Sequence, residues 1–267
     1  GVEVGHAAPG ELVGDILCRA GVAGRRVDDH VAGAQRVPCG VQHGHDLDDW
    51  LQAEYELMQL PVTKLVNMPF VLLATPSLGV TSVRDLVSMA KAKPGQFNFG
   101  STGVGSTSHL GGEQLKMLTG IDIRHVAYKG AVPAIADLLS GQIQILFNSM
   151  ASALPHAKSG KLVMLATCGP SRSPLTPDMP TLTESWPGYE VVTWYSIAAP
   201  AKTPRALVMR LNGDVHRVLA NPDAVARFHA GGNTPAPSTP EAMHDYTRNE
   251  IEKFRKIIKS AGLRFDT

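Results

Sequence analysis

An α/β fold built around a mostly parallel sheet is the class this sequence predicts, on three observations. From about residue 60 onward, short apolar runs alternate with segments of helical period, at the spacing of βαβ units. Two of those runs, 66–75 (VNMPFVLLAT) and 162–168 (LVMLATC), are almost continuously apolar, which fits strands covered on both faces. The stretch 97–110 (FNFGSTGVGSTSHL) reads as a strand, a loop of glycines and hydroxyls, and the start of a helix.

Each element follows in order. After the strand over 66–75, Thr81-Ser82 opens a helix through Leu86, Val87 and Ala90, closed by Lys93-Pro94-Gly95. Gln96 to Gly100 is the strand before the glycine loop, and Thr107 to Leu118 is the helix after it, ended by Gly120. Ile121 to Tyr128 alternates as a strand; Pro133 suits the first turn of a helix that runs to Gly141. Gln142 to Phe147 alternates again, and Ser152 to Lys158 is a short helix before Gly160. The strand over 162–168 is followed by a Pro-, Ser- and Thr-rich loop from Ser171 to Gly188 and a strand from Glu190 to Ala198. Three helices close the chain. Thr203-Pro204 starts one with the stripe Leu207, Leu211, Val215, Val218 and Leu219. Asn221-Pro222 starts a short one, and Ser238-Thr239-Pro240-Glu241 starts the last, with a core stripe of Met243, Tyr246, Ile251, Phe254, Ile257 and Ile258. Residues 1–58 lack this periodicity; they hold four of the ten histidines and polar knots at Asp28-Asp29-His30 and 44–49.

Composition removes several function classes. The 267 residues carry 25 Lys plus Arg against 24 Asp plus Glu, so there is no basic excess for nucleic acid and no acidic tail. Cys18, Cys39 and Cys168 form no CxxC pair, which argues against a zinc site and a disulfide framework. No apolar run is long enough to span a membrane. Gly1-Val-Glu-Val has neither the basic start nor the apolar core of a signal peptide. The expectation is a cytosolic chain, or a mature or truncated form of an exported one.

The glycine loop is the strongest chemical signal. Backbone N–H groups and hydroxyls there converge on one spot, with the positive end of a helix behind them, which suits an anion. The stretch from Gly100 nearly spells a phosphate loop, but Ser106 stands where that motif needs the lysine that reaches the β and γ phosphates. Asn148, after the strand 142–147, replaces the acid that would hold magnesium. GxGxxG and GxSxG patterns also fail. What remains is neutral capture by N–H and O–H groups, better matched to a carboxylate than to a polyphosphate. One hydroxyl is expected merely to cap the helix. Ser101, Thr102, Ser106, Thr107 and Ser108 with Gly100, Gly103 and Gly105 exceed that need. His43, His45, Asp46, Asp48 and Asp49 have metal-ligand chemistry, but no further cluster completes a site and a solvated loop is expected. His109 and His125 read as packed histidines, and Tyr128-Lys129-Gly130 as either a cleft wall or a turn.

Seven blocks occur in a set order: 97–110, HVAYKG at 125–130, PAIADLLSG at 133–141, 142–148, LPHAKSGKLVML at 154–165, RSPLTPDMPTLTE at 172–184, and PGYE at 187–190. Together, over residues 60–267, they resemble the TctC-like Bug receptors, extracytoplasmic solute-binding proteins of tripartite tricarboxylate transporters. The resemblance implies a two-lobed, Venus-flytrap α/β architecture with an atypical N-terminal part. Lobe 1 would take residues 1–98 and 196–267, and lobe 2 residues 99–195. It implies a periplasmic monomer that captures a small carboxylate for transporter subunits or a sensor protein, with no cofactor, metal, nucleic acid or catalysis. The implied ligand-binding residues are Ser101, Thr102, Gly103, Gly105, Ser106, Thr107 and Asn148, the last where many relatives carry Asp. Hinges are expected near Gln96 to Gly100 and Glu190 to Ala198. Residues 1–58 lack the family's P-x-G-G-x-x-D loop, its Asn-Arg-Pro-Gly-Ala-Gly-Gly stretch and its Asp-Gly-Tyr-Thr strand, and are expected to be divergent or to derive from a shifted reading frame. The alternatives are an enzyme that binds a phosphorylated or acyl substrate on the same loop, and a degenerate relative that binds nothing.

Overall fold

The computed structural model describes residues 60–263. The expectations for residues 1–58, including the polar knots, Cys18, Cys39 and the His43–Asp49 cluster, lie outside the described residues.

The described chain runs β1 (Leu60–Ala74), a 3-10 turn (Pro76–Leu78), α1 (Val83–Ala92), β2 (Asn98–Ser101), α2 (Thr107–Thr119), β3 (Arg124–Ala127), α3 (Ala131–Ser140) and β4 (Ile145–Ser149). It continues through α4 (Met150–Lys158), β5 (Val163–Thr167), α5 (Leu182–Ser185), β6 (Val192–Ala199), α6 (Arg205–Leu219), α7 (Pro222–Ala230), β7 (Thr234–Pro235) and α8 (Pro240–Ala261). Helix starts follow the capping signals: Ser82, Ser106, Ser149, Asn221 and Thr239 each accept a first-turn N–H. The Pro-, Ser- and Thr-rich segment 171–188 contains α5, which a capping box between Thr181 and Glu184 opens.

The strands join in the order β3-β2-β4-β1-β5, with β6 and β7 also paired to β1. The pairs β2–β3 and β2–β4 are parallel. Against expectation, β1 is antiparallel to β4, β5, β6 and β7. The physical reason is placement. A helix between two strands makes a parallel crossover only when both strands lie the same way, and β4 separates β1 from β2.

β1 serves two sets of partners in turn. Leu60 to Pro69 pair with β6, and Val66 and Asn67 also with β7. Phe70 to Ala74 pair with β4, and Val71 to Ala74 with β5. The exchange falls at Pro69, whose missing N–H removes one ladder bond where the partners change. Past that point the strand is covered on both faces. Phe70, Leu72 and Ala74 join Leu86, Phe99, Leu115, Phe147 and Tyr189 in one core, while Val71 and Leu73 join Leu138, Ile143, Leu146 and Met150 in the other. Period-2 alternation between two cores is what makes the run read as continuously apolar.

α8 ties the β1–β6 part to α2. Ile257 and Ile258 pack on Leu110, and the Lys64 ammonium lies 3.6 Å from the centre of the Tyr246 ring. Asn212 of α6 donates to the carbonyls of Val62 and Ser238, both at 2.8 Å. The expected α6 stripe differs: Val208 and Leu219 are buried, while Leu207, Leu211 and Val218 are exposed.

Candidate functional site

β2 and β4 are parallel neighbours, with Gly100 opposite Leu146, so their C-terminal ends lie at one edge of the sheet. That register carries Thr102 alongside Asn148. β5, antiparallel to β1, ends at the same edge, because Val71 pairs with Thr167 as well as with Asn148. The N-termini of α2 and α4 face this edge too. This is the crevice at strand ends where open α/β sheets bind ligands.

The loop from Ser101 to Thr107 sits there, shaped by two glycines. Gly103 has φ 141° and Gly105 φ 76°, conformations that other residues rarely hold. Close approach shapes the supports as well. A Cβ on Gly112 of α2 would stand 2.1 Å from the Phe99 ring. Tyr189 donates to the Gly111 carbonyl at 3.1 Å, which fixes α2 over the sheet.

The structure brings the seven predicted residues to one edge but turns two hydroxyls inward. Ser101 and Ser106 are fully buried. Ser101 Oγ donates to the Gly103 carbonyl at 2.9 Å and accepts the Gly103 N–H at 3.2 Å. Ser106 Oγ caps α2 by accepting from His109 N, and it donates to the Gly103 carbonyl at 2.7 Å. Ser108, also buried, accepts the Thr102 N–H at 2.9 Å. The amides of Thr102, Gly103, Gly105 and Ser106 all have partners inside the loop. Among the described residues no acceptor reaches the amides of Val104, Thr107 or Ser108. Thr107 and Ser108 open α2, where the helix itself supplies no acceptor. Thr107 Oγ1 accepts from Thr193 of β6 at 3.2 Å, so the second strand group touches the loop.

Asn148 is 3% exposed. Its Oδ1 accepts from Ser149 N at 2.8 Å, and its Nδ2 has no partner. A buried donor without an acceptor costs about 1–3 kcal/mol unless something fills it. The site is therefore built of neutral donors. Among the described residues no group of three His, Cys, Asp or Glu side chains could hold a metal, and no helix is long and apolar enough to cross a membrane.

A feature the sequence reading missed lies directly beneath the loop. The rings of His109 and His125 stack with centroids 3.6 Å apart and planes 11° apart, and Phe99 covers both. Gly105 N donates to His109 Nδ1 at 3.0 Å, and His125 Nε2 lies 2.6 Å from Ser101 Oγ. Burial, then the neighbouring His125 and Lys116, push His109 down to about 3. Burial and Lys116 push His125 down to about 4. Both rings are neutral at ordinary pH. Each was expected to be packed; their spacing of 16 residues in sequence gave no sign that they touch. Tyr128 proves to be a turn anchor, donating to Asp137 at 2.7 Å.

The Ser101–His125 contact has the distance of a nucleophile–base pair, but its surroundings differ from a working one. Ser101 Oγ is fully buried and is engaged by the Gly103 carbonyl and amide as well as by the ring, so it holds the loop rather than facing a substrate.

The family model described as "Tripartite tricarboxylate transporter family receptor" (TctC) matches residues 52–263. A protein in the tcbD-tcbE intergenic region of Pseudomonas sp. (strain P51) is 31% identical over 201 residues, covering 74% of this chain and 60% of its own length. BugT of Bordetella pertussis is 31% identical, with 76% of this chain and 63% of BugT covered. The chain thus spans about three-fifths of the length of these curated relatives. Among solved structures, R. palustris Rpa4515 with adipate is 33% identical at a TM-score of 0.68, covering 76% of this chain and 68% of that one. MatC from Rhodopseudomonas palustris with bound malate is 27% identical at 0.62, covering 74% and 69%. Strand order, loop and comparisons converge on the α/β fold of the two-lobed periplasmic solute-binding proteins, and this chain belongs to the TctC family of tripartite tricarboxylate transporter receptors.

Proposed function

We propose that this chain captures a small organic carboxylate in the periplasm, without catalysis, and presents it to membrane transporter subunits or a sensor protein. The observation that carries the reading is the unpaired Asn148 Nδ2, buried at the sheet edge from which the glycine loop leaves, on a loop whose Val104, Thr107 and Ser108 amides have no acceptor among the described residues. A loop that offers donors and no lysine, with no metal cluster among the described residues, suits an anion of low charge that brings only acceptors. The bound adipate and malate of two relatives are of this class. In this reading Thr102, Thr107, Asn148 and the loop amides meet the ligand, while Ser101, Ser106, Gly103 and Gly105 hold the loop in shape.

The strand pairing supports lobes that differ from a boundary at residue 98. β2 begins at Asn98 and is paired on both sides, which in this reading leaves no place for a crossing within 96–100. The crossings we propose are Pro69–Phe70 in β1 and Val191–Val192 before β6, where the chain passes between the two strand groups. The second lies within the expected hinge over 190–198. Closure about these two points would bury the anion.

A thermal-shift and calorimetric screen with adipate, malate and Mg-ATP tests the function. Stabilisation by a dicarboxylate and not by Mg-ATP is expected. Stabilisation by Mg-ATP alone would favour the enzyme reading, and a well-folded sample that binds no carboxylate would favour a non-binding relative.

A further inference from the structure

The stacked imidazoles hold the loop at both ends. His109 Nδ1 accepts the Gly105 N–H at 3.0 Å, so its proton must lie on Nε2, which faces Glu113 Oε1 at 3.9 Å. Glu113 is itself held by Lys116 at 2.9 Å. His109, Glu113 and Lys116 lie at successive turns along one face of α2. At the other end, His125 Nε2 lies 2.6 Å from Ser101 Oγ. Between these anchors, Gly103 and Gly105 give the backbone freedom that would otherwise let the loop relax.

We propose that His109 is a positioning residue for carboxylate capture: its Nδ1 lone pair occupies the Gly105 amide and so sets which amides, those of Val104, Thr107 and Ser108, face the anion. This rests on the carboxylate reading above. A ring that only filled space would be replaced by any side chain of similar volume. A positioning ring needs an acceptor two bonds beyond Cβ, and the asparagine Oδ1 supplies one at the same place. Leucine fills the volume without it, and glutamine places its amide nearer Glu113.

The test compares wild type with His109→Asn, His109→Leu and His109→Gln, each labelled with 15N. Long-range 1H–15N spectra without ligand read the ring protons and the Gly105 amide; calorimetry with adipate and malate reads capture. The expected result is a neutral His109 with its proton on Nε2. The Gly105 amide should keep its shift in His109→Asn and move in His109→Leu. Affinity should stay near wild type in the Asn variant and fall at least about tenfold in the Leu variant, the worth of one well-made hydrogen bond. Should His109→Leu fail to fold, His109→Gln carries the same contrast. A proton on Nδ1, an unmoved Gly105 amide in both Leu and Gln variants, or wild-type affinity in them would overturn the proposal. A wild type that binds neither acid overturns the carboxylate function instead, and the spectra alone then decide whether His109 holds Gly105.

Discussion

Replacing Gly112 by alanine should destabilise this protein, although alanine is the better helix former. In an open helix the change would gain about 1 kcal/mol. Here the new Cβ would stand 2.1 Å from Cε2 of Phe99 and 2.6 Å from two further ring carbons, where ordinary contact needs more than 3.4 Å. The ring is fully buried and cannot swing clear. It abuts His125 at 5.0 Å and Phe147 at 6.4 Å between centroids. Overpacking of this kind costs about 3 kcal/mol, the upper part of its usual range, so the net loss is about 2 kcal/mol. For a chain of this size that lowers the melting temperature by about 4–8 °C. Thermal unfolding by circular dichroism measures it, with Phe99→Leu as the partner mutation. Leucine alone leaves a cavity, but the methyl group added by Gly112→Ala partly fills it, so the pair should couple favourably by at least about 1 kcal/mol. A Gly112→Ala variant that melts higher than wild type would refute the reasoning, since it would mean that α2 does not ride on the Phe99 ring.

Acid should weaken the fold through the histidine pair. Both rings titrate lower folded than unfolded, so the unfolded chain binds more protons once the pH drops below about 6.5. Their stabilisation is complete above that value and is lost as pH falls toward about 4 and then about 3. Between pH 7.5 and 5 the pair should cost about 2–3 kcal/mol, discounted for the partial exposure of His125, and urea titrations at the two pH values should show a shallower loss in His109→Asn. Asn212→Ala leaves the Val62 carbonyl without its side-chain donor, while the Ser238 carbonyl keeps His216 Nε2 at 3.0 Å; it should cost about 1–2 kcal/mol by the same titration, with no change in ring tautomers. Ser106→Ala removes the cap of α2 and a bond to Gly103 O; a loss of about 1–2 kcal/mol is expected, and a neutral result would mean that the cap is carried elsewhere.

Most of the element order was legible because caps, glycines and apolar periods act within a few residues. Ser82, Ser106 and Thr239 start helices where the sequence says they should. The glycine turn was legible too, since Gly103 and Gly105 take positive φ values that other residues rarely hold. Strand direction was not, because a helix between strands does not say which strands become neighbours, and β1 finds β4 and β5 rather than β2. The division of labour within the loop was equally hidden. Ser101 and Ser106 have the chemistry of ligand contacts, and only three-dimensional placement shows Gly103 O taking both of their protons. The α6 stripe misled because apolar period fixes a face but not what covers it; Leu207 and Val218 are exposed. The capping box of α5, Thr181 with Glu184, was present in the sequence and overlooked among prolines.

The single strand β1 has a consequence for how this gene can vary. Its 15 residues are read by one set of neighbours before Pro69 and by another after it. Side chains alternate along it with period 2, so loss or gain of one codon near Pro69 would shift the phase of everything on one side of the lesion. Phe70, Leu72 and Ala74 would exchange faces with Val71 and Leu73, and each core would receive the other's side chains. Loops such as 171–181 can absorb insertions at small cost. This strand should tolerate only substitutions and, where bulges already interrupt its register, changes in pairs of residues.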